Sequence, residues 1–302
     1  MSAPRRNSYK RSPKSPSRAR GRGTVLRTFT FDTVTLDGEG RVIARRRADA
    51  QQLIQRLGKD VTLHMVQIPG GTFVMGAPDG EPGAKSSERP QHQVTVAPFY
   101  LGKVPVTLDQ WRAVMGARPP AMKIAEGSFR KSGRQPAVRV SFDEVEEFCA
   151  RLSRKARRIF RLPTEAEWEY GCRAGTSSAF AFGPAITRDL VIHGGEAIRQ
   201  GYANGTHATT RPVGSLRVAN AFGLFDMHGQ VWEWCQDWWH GHYENAPADA
   251  RAWTGGGALH TRVLRGGSWY AAADLCRSAS RMMGGETGIR SRQIGLRVAM
   301  GV

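Results

Sequence analysis

Cysteine is scarce in this chain of 302 residues, and its four copies, Cys149, Cys172, Cys235 and Cys276, form neither a C-x-x-C nor a close pair. That spacing excludes a disulfide-stapled scaffold and a zinc ribbon. No apolar run reaches the roughly 18 residues that a membrane-spanning helix needs. The N-terminus also lacks the apolar stretch of a secretory signal, so the expected setting is cytoplasmic, without a membrane span. Acidic residues are missing altogether from the first 24 positions, where eight basic ones stand among Ser, Pro and Gly. Such a segment cannot bury a core, and residues 1–27 read as a disordered basic tail.

What is abundant is arginine, glycine and tryptophan. Lys and Arg number 44 against 26 Asp and Glu, a net charge of +18. Such a surplus raises nucleic acid as a partner, here a weak and salt-sensitive contact through the tail, against the plainer reading of solvated faces. Thr28 to Leu36 alternates, Asp37-Gly38-Glu39-Gly40 supplies a turn and Arg41 to Ala44 resumes, which predicts a hairpin. A helix is then expected to about Leu57, so that residues 28–60 form an N-terminal extension and residues 61–302 the main domain. Strands are expected within Val61 to Met75 and Gln93 to Tyr100, with a surface loop from Gly76 to Pro90 between them. Ser141 with Glu144, and Thr164 with Glu167, are capping boxes that predict two helices, the second closing near Gly175. Beyond Gly175 the chain reads as structured loops with short strands at Val213 to Leu216, Arg262 to Arg265 and Ile294 to Ala299. Trp232, Trp234, Trp238 and Trp239 are too dense for a surface and should mostly be core.

Four segments, in order, carry a family resemblance: Ile68-Pro-Gly-Gly-Thr-Phe-Val-Met-Gly76; Arg161-Leu-Pro-Thr-Glu-Ala-Glu-Trp-Glu-Tyr170 with Cys172-Arg-Ala-Gly-Thr176; Asn220 to Gly229 with Val231-Trp-Glu-Trp-Cys235; and Arg265-Gly-Gly-Ser-Trp269 with Ile294-Gly-Leu-Arg297. Together they resemble the formylglycine-generating enzyme, or sulfatase-modifying factor, domain. The resemblance implies an α+β, C-type-lectin-like fold, rich in loops, with small sheets and a few helices. The final segment also resembles the variable proteins of diversity-generating retroelements.

In that family the oxidase holds copper between two cysteine thiolates, a soft-ligand pair suited to a soft monovalent ion. The matching positions here are Ala271 and Cys276, so one thiolate is missing and copper is not expected. If an oxidase survives, Cys276, Ser268 and Trp232 are its candidate residues. The resemblance further implies a calcium ion held by Asp226, Gly229, Val231 and Glu233, hard oxygens around a glycine turn; the alternative is that Glu233 satisfies buried amides. Two readings of function stay open. One is a binding module without oxidase activity, whose ligand, protein or small molecule, meets an exposed face containing Tyr270, Arg277, Met282, Met283, Arg290 and Arg292. The other is a divergent oxygen-dependent oxidoreductase that oxidises a protein cysteine.

Overall fold

Three capping boxes start the three helices. In α1 (Leu108–Met115), α2 (Phe142–Ala156) and α3 (Glu165–Arg173) a Thr or Ser side chain accepts the N3 amide, and the N3 Gln or Glu reaches back to the cap. All three close on a left-handed residue, Gly116, Arg157 and Ala174. The two boxes read from sequence are therefore found. The first helix was missed, although Thr107-x-x-Gln110 is the same signal.

The computed structural model describes residues 25–119, 132–194 and 209–302. The basic tail falls before them, although its expected end does not: β1 (Leu26–Leu36) begins inside it. β1 pairs antiparallel with β2 (Val42–Arg56), and β2 pairs onward with β3 (Thr62–Ile68). Turn chemistry fixes the hairpin. Asp37 Oδ1 accepts the Glu39 and Arg41 amides at 2.9 Å, and Gly40 takes φ +81°, a region open to glycine. The helix expected up to Leu57 is instead this second strand. Its Ala, Arg and Gln residues favour helix locally, but ladders on both sides and burial of Gln52 and Leu53 decide the outcome.

The main sheet runs β1-β2-β3-β6-β12-β7, with β6 at Phe99–Gly102, β7 at Phe160–Arg161 and β12 at Ala299–Gly301. A four-stranded sheet runs β10-β9-β8-β11, from β8 (Trp232–Trp239), β9 (Ala258–Arg265), β10 (Arg281–Glu286) and β11 (Ile294–Gly295). A third, two-stranded sheet pairs β4 (Gly71–Met75) with β5 (His92–Val96). Val213 to Leu216 forms a turn rather than a strand, and Ile294 to Ala299 is split between two sheets. Trp232 and Trp234 are buried, and Trp238 and Trp239 are half-buried.

One core cluster joins Leu53 and Leu57 to Trp111, Phe148, Trp232 and Trp234. The N-terminal hairpin thus shares its packing with both the helices and the second sheet. Leu53→Ala is expected to cost about 2–5 kcal/mol in chemical denaturation. A cost under about 0.5 kcal/mol would show that the hairpin packs as an appendage.

Candidate functional site

Every residue of α3 is buried, including Glu165, Glu167 and Glu169. Charges can lie there only if paired. Glu165 receives Arg281 through Nε at 2.6 Å and Nη2 at 2.8 Å, and Tyr243 donates its hydroxyl at 3.1 Å. Glu169 accepts Arg173 Nε at 2.8 Å, the Gly76 amide at 2.9 Å, and Arg265 Nη2. Burial works to raise the Glu169 carboxyl, but Arg173 and Arg265 overcome it and leave the group below its ordinary value. On β8, Glu233 accepts the Trp168 indole N–H at 2.7 Å and Arg297 through Nε and Nη2, both at 3.0 Å. Farther out, Glu88 takes Arg277 in a bidentate pair at 2.8 and 2.9 Å, and Glu81 takes the same guanidinium at 2.5 Å.

This frame corrects two expectations. Arg277 is only 2% exposed and does not belong to a recognition face, because the supposed surface loop from Gly76 to Pro90 folds over it with Glu81 and Glu88. The calcium quartet does not fit its ion either. Arg297 already holds both Glu233 oxygens, and its Nη1 and Nη2 also take the Gly102 and Phe225 carbonyls at 2.7 and 2.9 Å, so the carboxylate such an ion would need is engaged by a guanidinium. Asp226, driven by burial up to about 6, accepts the Gly214 amide at 2.7 Å. Gly229 takes φ +73° and packs against the Ile192 carbonyl, while Val231 is core. Among the described residues no group of three or more His, Cys, Asp or Glu side chains is arranged to hold a metal.

Against the frame lies the segment after β9. Gly266 and Gly267 take φ +102° and +78°, and a Cβ on Gly267 would sit 2.5 Å from Cys276 Sγ. This approach brings Ser268 and Cys276 together. Ser268 Oγ donates to Gln293 Oε1 at 2.9 Å, and the Gln293 carbonyl accepts the Trp232 amide at 2.7 Å, so all three oxidase candidates share one neighbourhood. None is open to solvent. Ala271 supplies only a methyl, packed with Phe180 and Cys276, and burial pushes the Cys276 thiol up to about 12. A copper pair does not fit this donor set. Beneath it, His228 Nδ1 faces the Cys276 carbonyl at 2.7 Å and Nε2 faces the Ala181 amide at 3.0 Å, which requires a neutral ring protonated on Nδ1. Burial pushes this histidine down to about 4.

The exposed rim is smaller than expected from sequence. Tyr270 is 41% exposed and lies edge-on to Trp269, with ring centroids 5.4 Å apart. Trp269 donates its indole N–H to the Arg292 carbonyl at 3.2 Å, and the Arg292 guanidinium lies 5.9 Å from its ring. Met283 is 55% exposed on β10, whereas Met282 is half-buried against the core. Arg290 is exposed but bound to Glu144 at 3.1 and 3.2 Å. Ile289, 44% exposed, was missed, and Trp269, only 8% exposed, is the buried ring against which Tyr270 stands. No periodicity marks Ile289; only its closeness to Met283 in sequence hints at it.

The fold and this segment define an α+β, C-type-lectin-like protein of the formylglycine-generating type, rich in loops. The chain belongs to the sulfatase-modifying factor enzyme 1-like domain family, whose model matches residues 50–302. It is 30% identical to the formylglycine-generating enzyme of Streptomyces coelicolor, over 71% of this chain and 81% of that one. It is also 30% identical to the serine/threonine-protein kinase pkn1 of Chlamydia caviae over 79% of this chain, and spans only 38% of that protein's length. Treponema denticola variable protein 1 shares the fold, with a TM-score of 0.69 at 24% identity, covering 83% of this chain and 99% of that one.

Two measurements follow from this geometry. Glu233→Gln is expected to cost about 3–5 kcal/mol by stranding Arg297, and calcium is expected to leave the melting temperature of the parent unchanged. A calcium-dependent rise that disappears in Glu233→Gln would restore the ion. The second concerns pH. Between His228's ordinary 6.5 and its folded value of about 4, the unfolded chain holds a proton that the native one does not. The stability advantage of the parent over His228→Gln is therefore full above pH 6.5 and shrinks by about 3 kcal/mol on acidification to pH 4. A difference independent of pH would refute the buried neutral imidazole.

Proposed function

We propose that this chain is a binding module of its family without copper-oxidase activity, taking a protein or small-molecule ligand on the exposed face of Tyr270, Arg292 and Met283. The observation that carries the reading is the pair of positions 271 and 276. One bears a methyl, and the other a buried thiol held protonated, so the paired thiolates that would grip a soft ion are lacking. The rim supports it in turn. Tyr270 and Arg292, both exposed and both set against the buried Trp269 ring, offer aromatic contact area and planar hydrogen bonding from a rigid base.

The second reading, a divergent oxygen-dependent oxidoreductase of the formylglycine-generating family, draws support from the similarity to the Streptomyces coelicolor enzyme and from the shared neighbourhood of Ser268, Trp232 and Cys276. A peptide carrying Cys-x-Pro-x-Arg, incubated with the protein, oxygen and copper, separates the two. No aldehyde is expected. Aldehyde formed by the parent and abolished in Cys276→Ala would establish the oxidoreductase instead.

A further inference from the structure

Away from that rim, a cavity of about 450 Å³ opens between α2, β7 and the β8–β9 pair. Its floor is apolar: Phe142, Cys149, Phe160 and Leu162, all buried. Two arginines stand over this floor, and they differ. Arg161 is spent, since Glu167 takes both its Nη atoms at 2.6 Å. Arg262 is not. Its guanidinium lies 4.3 Å from the centre of the Phe142 ring and 5.7 Å from that of Trp238, and Nη1 donates to the Gln236 carbonyl at 2.6 Å. No carboxylate pairs with it among the described residues, and its buried Nε finds no acceptor. Burial works against its charged form, and Glu146 on the same cavity, Asp237 and Asp143 favour that form without touching it.

Arg262 is half-buried, and its Nε is withdrawn from water without an acceptor, a cost that an anion in the cavity offsets. The side chains of Gln236 and Thr254, which hold no hydrogen bond among the described residues, also line the cavity and can complete the coordination of such an anion. The rest of the space is hydrocarbon-lined and of a size that takes a small amphiphile. Among the described lining residues Arg262 alone is a cation without a carboxylate partner, and the Glu146 carboxylate at the rim repels a second negative charge. We infer that this cavity binds a free monocarboxylic acid with an apolar body, its carboxylate on Arg262 and its body on the Phe142, Phe160 and Leu162 floor.

Calorimetric titration of the whole chain with octanoate, octanol and octyl phosphate, each below its aggregation limit, tests the assignment. Octanoate is expected to bind one-to-one. Octanol should bind at least about tenfold more weakly, a difference of about 1.4 kcal/mol. Octyl phosphate should also bind more weakly than octanoate. Arg262→Met, with melting measured alongside to verify the fold, should lose octanoate, and Glu146→Gln should tighten it. Glu146 is exposed, so its variant keeps the test decisive even where Arg262→Met does not fold. Equal binding of octanol would reduce the cavity to an apolar patch. Preference for octyl phosphate, retention of octanoate in a folded Arg262→Met, or unchanged affinity in Glu146→Gln would each overturn the site.

Discussion

Glu165 and Glu169, one helical turn apart on α3 and gripped by Arg281, Arg265 and Arg173, are the constraint to which the rest of the structure is fitted. A helix with no exposed face can carry carboxylates only if guanidiniums arrive from other elements with correct geometry. The α3 carboxylates draw Arg265 from β9 and Arg281 from β10, while Glu233 of β8 draws Arg297 toward the main sheet. Counted with Glu81 and Glu88, five carboxylates meet five guanidiniums, so this network is neutral in itself and the chain's surplus of +18 lies outside it. Such networks contribute less to net stability than to uniqueness. Hydrophobic replacements could fill the same volume, but they would not dictate which strand sits where.

The segments that mark the family take on physical meaning here. Arg161 to Tyr170 supplies the carboxylates, the Trp-Glu-Trp stretch supplies Glu233 with a buried indole on each side, and the last segment supplies Arg265 and Arg297 from its two parts. Family membership is thus written mostly in scaffold. What an individual member does rests on the few positions the scaffold leaves free, and in this chain two of those, Ala271 and Cys276, have been drawn into an apolar cluster with Phe180.

Local signals in the sequence were read well, and distant ones poorly. The boxes at Ser141 and Thr164 are self-contained, since cap and partner lie three residues apart, and both helices stand where those residues put them. β2 was misread because its identity comes from β1 and β3, not from its own Ala, Arg and Gln content. Arg277 was misassigned for a related reason. Nothing within a short window reveals that Glu88, 189 positions earlier, waits to neutralise it. The exposed rim was legible at Tyr270, Met283 and Arg292. Trp269, inside a family motif, is the buried ring that carries it.

The order of the charges along the chain has its own consequence. Glu81, Glu88, Glu165, Glu169 and Glu233 all precede the arginines at 265, 277, 281 and 297 that neutralise them. A ribosome releases the acids first. Until the final stretch emerges, Glu165 and Glu169 have of these guanidiniums only Arg173, and the nascent chain cannot bury α3 without stranding a carboxylate. Assembly of the interior is therefore a late, collective event dominated by distant contacts, and slow by topology. A chain cut short before Arg297 would lack β12, the strand that joins β6 to β7, along with the last cation of the frame. Nearly complete products of interrupted synthesis would thus be exposed to proteolysis as unfolded polypeptide rather than persist as slightly weakened domains.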